Sequence, residues 1–412
     1  MQLTSTSEED RSLRPRGPSL WSRLNRPLVP GVIAFLAWLG FALARRAIWA
    51  KGHFNLFVMA GHVYTHRGEL PRGLLLVPSD GYDGQFYYRL ALDPANWNVT
   101  AFGITMDQSY RYTRIGYPLV AWLASAGQHR LVPAALVAIN LVAVAPMAVL
   151  GGMFARESGR HAWWGLAFAA YFGLVISVGR DTAEPLAEAC MLGGLLAYRR
   201  GRYVLTTGLF AFGAITRETI LLAPAAIAVT RLIAMARRQT RPGRADLTWV
   251  VPAAVYGLLE AAVQFVVKGD FPLLANGSRN LTVPYTALVD ALNYDFAHIN
   301  TSHLSPIDID LLEYATLVVF IVAGLAVLWV TTAPVHERLA FVFFVLQLGL
   351  LSSQIWTSTF GEGRSLIEPY LMALILLLAT PRRYLSGRYL SLIAAWAIPA
   401  LVVVARRRIL YM

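Results

Sequence analysis

The chain has 412 residues, of which 56% are hydrophobic and only 15% charged, with a mean hydropathy of +0.50; soluble domains carry about 25% charged residues, so an ordinary soluble globule is excluded. The formal net charge is +12, but the arginines fall in short loops between apolar runs and no basic soluble domain is present, which argues against nucleic acid as a partner. Cys190 is the single cysteine, so the chain can form neither an internal disulfide nor a thiolate metal site of its own.

Residues 1–27 are polar and carry Arg11, Arg14, Arg16, Arg23 and Arg26, and are expected to form a disordered cytosolic tail. The apolar run after them is longer than the ~7–15 residues of a signal-peptide core and is followed by many more, so it reads as a retained first span. Apolar segments fall near 28–47, 131–154, 163–179, 184–198, 203–216, 219–236, 248–267, 312–331, 337–354, 366–380 and 389–405. A helix needs about 20 residues to cross the hydrocarbon core. The expected architecture is therefore an all-α polytopic membrane protein with about eleven spans. Its two long loops, 48–130 and 268–311, are too small for independent domains and suited to interfacial helices. Residues 28–236 form one expected transmembrane module and 237–412 a second.

The piece 115–127 is too short to cross, and charge supports leaving it at the surface. With that choice the inward loops hold Arg156, Arg160, Arg199, Arg200, Arg202, the run from Arg231 to Arg244, Arg338, Arg382, Arg383 and Arg388. The outward turns hold Arg180, Arg217 and Arg364. Arginines concentrate on the cytoplasmic side of membrane proteins, so the N-terminus is expected inside. Arg406, Arg407 and Arg408 at the outward end run against this pattern.

In this topology four polar clusters share the outer face: Asp83 in the first loop, Asp181 to Glu184, Thr216-Arg217-Glu218, and Gly361-Glu362-Gly363-Arg364. Ionisable groups at span ends are costly unless paired, solvated or functional, so a polar cavity beneath the first loop is expected. Asp83 sits in Gly81-Tyr82-Asp83-Gly84, and the ensuing Gln85-Phe86-Tyr87-Tyr88 offers rings for a sugar face. Its plain alternative is an Asp-Gly turn without chemistry. Asp181 and Glu184 share a helical face, but acids at a helix start also simply complement its dipole. Arg217 and Arg364 offer planar forks for phosphate, or else pair with the adjacent Glu218 and Glu362. His62 and His66 lie four apart without a third ligand. Sequons begin at Asn98, Asn276, Asn280 and Asn300.

These motifs, in this order, resemble the GT-C superfamily of integral membrane glycosyltransferases, in particular its GPI mannosyltransferase-like branch. The first loop's Tyr82-Asp83-Gly84 is similar to that branch's Trp-Asp-Gly, with Tyr82 in place of the tryptophan, and Ile115-Gly116-Tyr117-Pro118-Leu119 follows it. Asp181-Thr182-Ala183-Glu184-Pro185-Leu186, the basic turn Arg199 to Arg202 and Ala214-Ile215-Thr216-Arg217-Glu218 repeat the branch's order of turns. The likeness covers residues 28–236, and the second half matches in hydropathy alone. Bacterial relatives with a Tyr-Asp-Gly-Gln-Phe-Tyr loop act in cell-surface glycopolymer formation, which implies a bacterial plasma membrane location.

The resemblance implies a polyprenyl-phosphate-sugar donor, a glycan, lipid or protein acceptor, and inversion with Asp83 as base. Tyr82, Gln85, Tyr87, Tyr88, Asp181, Glu184, Arg217, Glu362 and Arg364 are then the expected substrate-binding residues. No clear Asp-x-Asp is present in the first loop; were a divalent cation (Mg or Mn) used, Asp83, Asp181 and Glu184 would be its ligands. A polysaccharide polymerase or ligase, with Arg279 in the second loop as its discriminating residue, and a lipid-linked glycan transporter, with Glu188 and Glu260 as its mid-span charges, are the competing readings.

Overall fold

The computed structural model describes residues 22, 24–267, 272–299, 306–356 and 363–411. Glu362, the Asn300 sequon and almost all of the N-terminal tail lie outside the described residues, as does the Arg279 side chain.

Among the described residues, six helices are long and apolar enough to cross a membrane: Leu28–Ile48, His129–Glu157, Glu218–Ala236, Arg244–Val267, Ile307–Val327 and Gly387–Leu410. A seventh span is formed if Ala162–Phe168 and Gly173–Gly179, bent by 67° at their junction, count together. The expected count of eleven is not confirmed by these helices. The other four apolar segments do form helices, but short ones: Glu184–Arg199, Tyr203–Thr216, Val335–Leu350 and Ile367–Leu378, of 16, 14, 16 and 12 residues. At roughly 1.5 Å per residue they are about 18–24 Å long, less than the ~30 Å hydrocarbon core. Hydropathy alone cannot separate a span from a helix buried by its neighbours. Every residue of Ile367–Leu378 is buried, so its apolarity is satisfied by protein.

Numbered in chain order, the helices that matter below are α1 (Leu28–Ile48), α2 (Gly84–Leu92), α3 (Gly116–Ala124), α4 (Val132–Glu157), α5 (Glu184–Arg199), α6 (Tyr203–Thr216), α7 (Leu222–Ala236), α8 (Leu247–Val267), α9 (Pro272–Asn280), α10 (Pro306–Val327), α11 (Val335–Leu350) and α12 (Ile367–Leu378). Helix α4 is the hub, packing on α1 and α5. Helix α5 in turn packs on α6, α6 on α8, α7 on α11, and α12 on α10 and α11.

The first loop is a folded cap. It holds α2, α3 and two small sheets, a parallel pair Ala60–Gly61 with Leu76–Val77 and an antiparallel pair Thr100–Ala101 with Ile104–Thr105. Helix α3 is nine residues long, as expected of a segment too short to cross. The cap has its own core: Phe86, Tyr87, Tyr88, Leu90, Ile104, Tyr112 and Tyr117 pack together with Leu136 and Ile139 of α4. The Tyr117 hydroxyl donates to the Leu136 carbonyl at 2.8 Å and accepts from the Asn140 amide at 2.9 Å, pinning cap to bundle.

The loops divide into two groups at opposite ends of the bundle, as the two ends of α5 show. At its C-terminal end Arg199 pairs with Glu337 and Glu157, and Arg200 with Glu157. There too Arg160 donates to the carbonyls of Leu378, Thr380 and Leu385. At its N-terminal end Glu184 meets the arginines described next. The C-terminal Arg407 and Arg408 line a small crevice with Asp310 and Glu313 of α10. These basic residues thus have acidic neighbours that sequence position did not reveal.

Candidate functional site

Asp83 stands at the N-terminus of α2. Two glycines place it there. Gly81 has φ +86°, and a Cβ on it would lie 2.5 Å from the Gly61 nitrogen. A Cβ on Gly84 would lie 2.4 Å from the Arg180 carbonyl oxygen. The turn can therefore press directly onto the loop before α5, which only a residue without a side chain permits. Gln85 fastens the turn from within, accepting from the Gly61 N–H at 3.1 Å and donating to the Asp80 carbonyl at 3.3 Å.

Each oxygen of Asp83 has its own guanidinium. Arg111 Nη1 lies 2.8 Å from Oδ1, and Arg364 Nη2 donates to Oδ2. Burial alone would raise the Asp83 carboxyl, but Arg111 and Arg364 outweigh it and hold the group well below the usual carboxylate range. The network continues inward: Arg364 Nη1 is 3.5 Å from Glu184, Glu184 is 3.1 Å from Arg217, and Arg217 is 3.4 Å from Glu368. Glu184 also accepts from the hydroxyls of Thr182 and, at 3.1 Å, Ser177. Thr219 donates to Glu368 at 2.6 Å. The neighbouring pair is bidentate, Arg114 to Glu218 at 2.9 and 2.5 Å.

Apart from Glu368, Ser177 and Thr182, these groups line a cavity of about 1750 Å³. Its lining includes a polar group linked by the ion pairs above, Asp83, Asp107, Arg111, Arg114, Glu184, Arg217 and Arg364, with Tyr82 beside them. It also includes an apolar group, Leu221, Leu222 and Ala225 at the start of α7 and Phe343, Leu346 and Leu350 of α11. Leu273, Gly277 and Leu281 of the second long loop form a further part of its wall. Such a lining suits a ligand with a charged head and an apolar tail.

Not every expected site residue reaches it. Asp83, Tyr82, Gln85, Glu184, Arg217 and Arg364 line the cavity. Tyr87 and Tyr88 do not; they are 3% exposed and packed into the cap core, Tyr87 edge-on to Tyr117 at 5.5 Å. Asp181 does not line it either. Its carboxylate is wholly buried in a residue with φ +50°, and burial pushes that carboxyl well above its usual range. Sequence spacing put Asp181 beside Glu184, but the left-handed turn at Asp181 precedes α5, so the two do not share a helical face. Arg217 pairs with Glu184 and Glu368, while its sequence neighbour Glu218 pairs with Arg114.

Sequence reasoning missed Arg111, Arg114, Asp107 and Glu368. Their signals were present: two arginines spaced among tyrosines in Ser109-Tyr110-Arg111-Tyr112-Thr113-Arg114, and a lone acid opening the apolar run 366–380. A divalent cation fits poorly here, because the carboxylates of Asp83 and Glu184 are already met by guanidiniums. Among the described residues no cluster of three or more His, Cys, Asp or Glu is arranged to hold one.

Comparison with known proteins identifies no relative: no family model, no curated protein and no solved structure matches the chain.

Proposed function

We propose that this protein is a membrane-embedded glycosyltransferase that moves a sugar from a polyprenyl-phosphate donor to a glycan, lipid or protein acceptor. The reading places it in a bacterial plasma membrane, with the cavity on the outer face. The observation that carries it is a cavity lined both by four arginines, with the carboxylates of Asp83, Asp107, Glu184 and Glu218, and by apolar residues of two bundle helices. A polyprenyl phosphate has the same two kinds of surface.

In the reaction the acceptor hydroxyl oxygen forms a bond to the anomeric carbon as the bond to the donor phosphate oxygen breaks. The phosphate leaves with the electron pair, and attack from the opposite side inverts the centre. The hydroxyl proton passes to Asp83, while Arg217 and Arg364 neutralise the departing phosphate. Glu184 and Glu368, on either side of Arg217, hold that arginine toward the cavity. Tyr82 lines the cavity beside Arg364, its ring 4.8 Å from that guanidinium, and helps to position it.

The test is incubation of purified protein with a panel of radiolabelled polyprenyl-phosphate sugars and membrane extract. Transfer of label to an acceptor, lost in Asp83→Asn, supports the reading. Failure with every donor, together with lipid-linked glycan flux in proteoliposomes, replaces the enzyme with a transporter. Transfer that survives Asp83→Asn but is lost when Arg279 is replaced points to a polymerase or ligase.

A further inference from the structure

Asp83 presents a difficulty as a base. A carboxylate held by two guanidiniums is a poor proton acceptor, because each cation stabilises the ionised form. The two arginines are not held alike. Arg111 has a second carboxylate, Asp107, which binds it bidentately at 2.9 and 3.2 Å, and its guanidinium lies 4.6 Å from the Phe86 ring and 4.8 Å from the Tyr110 ring, where Arg364 has, among the described residues, the Tyr82 ring alone. Arg364 stands on a one-turn 3-10 segment, Arg364–Leu366. Its only hydrogen-bonded carboxylate among the described residues is Asp83, with Glu184 at 3.5 Å. Its Nε and Nη1 are buried and find no hydrogen-bond acceptor among the described residues. Buried guanidinium donors are costly to leave unsatisfied, and a phosphate oxygen is the acceptor that suits their fork.

From this asymmetry, and resting on the donor class proposed above, we propose that Arg364 is an exchangeable ligand of Asp83. Before the donor arrives it caps the carboxylate. An incoming phosphate takes it over, and Asp83, left with Arg111 alone, becomes able to receive a proton. The base is then competent only when a donor is bound, which disfavours activating water in a site without a donor.

The proposal makes an unusual prediction about binding. Asp83 and the phosphate compete for one guanidinium, so a pair open one-tenth of the time weakens apparent phosphate affinity roughly tenfold. Removing Asp83 should therefore tighten binding. Farnesyl phosphate and inorganic phosphate are each titrated against the full-length protein in detergent, as wild type, Asp83→Asn, Arg364→Gln and the double variant, with thermal unfolding checked for each. The expected result is tighter farnesyl phosphate binding by about tenfold in Asp83→Asn, weaker binding in Arg364→Gln, and loss of most of the Asp83→Asn gain when Arg364 is already replaced. An equal gain in both backgrounds means that only the local field changed, and overturns the exchange. Unchanged affinity in Asp83→Asn overturns it too, while leaving the proposed function intact. If wild type and Asp83→Asn bind neither phosphate, the exchange and the proposed function fall together. Gain for inorganic phosphate but no binding of farnesyl phosphate keeps the exchange and removes the lipid donor.

Discussion

Arg114 and Glu218, 104 positions apart in the chain, form a bidentate ion pair at 2.9 and 2.5 Å. Arg114 closes the last turn of the cap before α3, and Glu218 opens the short turn before α7. The pair is largely enclosed, with side chains 13% and 10% exposed. Removing one partner of a buried pair strands the other charge, which costs about 3–5 kcal/mol, more than the pair itself contributes. Glu218→Gln is therefore expected to destabilise the protein by about that amount, and Arg114→Gln in addition to cost much less than it does alone. Thermal unfolding of the two single variants and the double variant in one detergent measures this. Additive losses would show that the two side chains do not meet.

The ion pairs of Asp83 predict an acid-sensitive term in stability. Its folded-state carboxyl lies below the usual range, whereas the unfolded chain returns it to about 3.9. A depressed folded value contributes stability above the unfolded value and loses it as pH falls toward the folded one. Wild-type stability should thus fall more steeply than that of Asp83→Asn below about pH 4. Between neutrality and pH 5 the difference between them should stay constant. Melting temperatures across that range decide it, and parallel curves below pH 4 would remove the pairing.

Arg217 lies between Glu184 and Glu368, so its loss has two consequences. Arg217→Ala leaves Glu368 without its cation and Glu184 with Arg364 alone, and a lower melting temperature is expected whatever the protein does. Turnover per folded molecule separates the roles. Under the proposed function it falls by about 10²-fold or more in Arg217→Ala, since a fixed cation at a departing phosphate supplies a large part of catalysis. Arg217→Lys keeps the charge without the fork and should retain partial activity. Intact turnover in folded Arg217→Ala would confine this residue to stability.

Orientation can be read by labelling single cysteines on a Cys190→Ala background, where the native thiol is buried. Ser79 belongs to the cap and Gln239 to the exposed turn after α7. An impermeant maleimide applied to intact cells should label a cysteine at Ser79 and leave one at Gln239 untouched. The reverse pattern would turn the protein over and place the cavity in the cytoplasm.

The sequence by itself determined that this chain is helical and suited to a membrane, because burying so few charges among so many apolar residues leaves little else. It also placed Asp83, Glu184, Arg217 and Arg364 in turns between apolar segments, where periodicity stops and charge appears. What it could not determine was which apolar segments cross. Residues 367–378 are as hydropathic as any span, yet their apolar surface is covered by protein in a helix too short to cross, and coverage is a property of neighbours. Nor could it assign partners. Local spacing offered Glu218 as an alternative partner for Arg217 and put Asp181 on one face with Glu184, whereas the fold pairs Arg217 with Glu184 and Glu368 and turns Asp181 away. Arg364 meets Asp83 across 281 positions of chain. Ion pairs at that separation depend on how the cap is seated on the bundle, through Gly84 against Arg180 and Tyr117 against α4. Only the tertiary structure decides that seating.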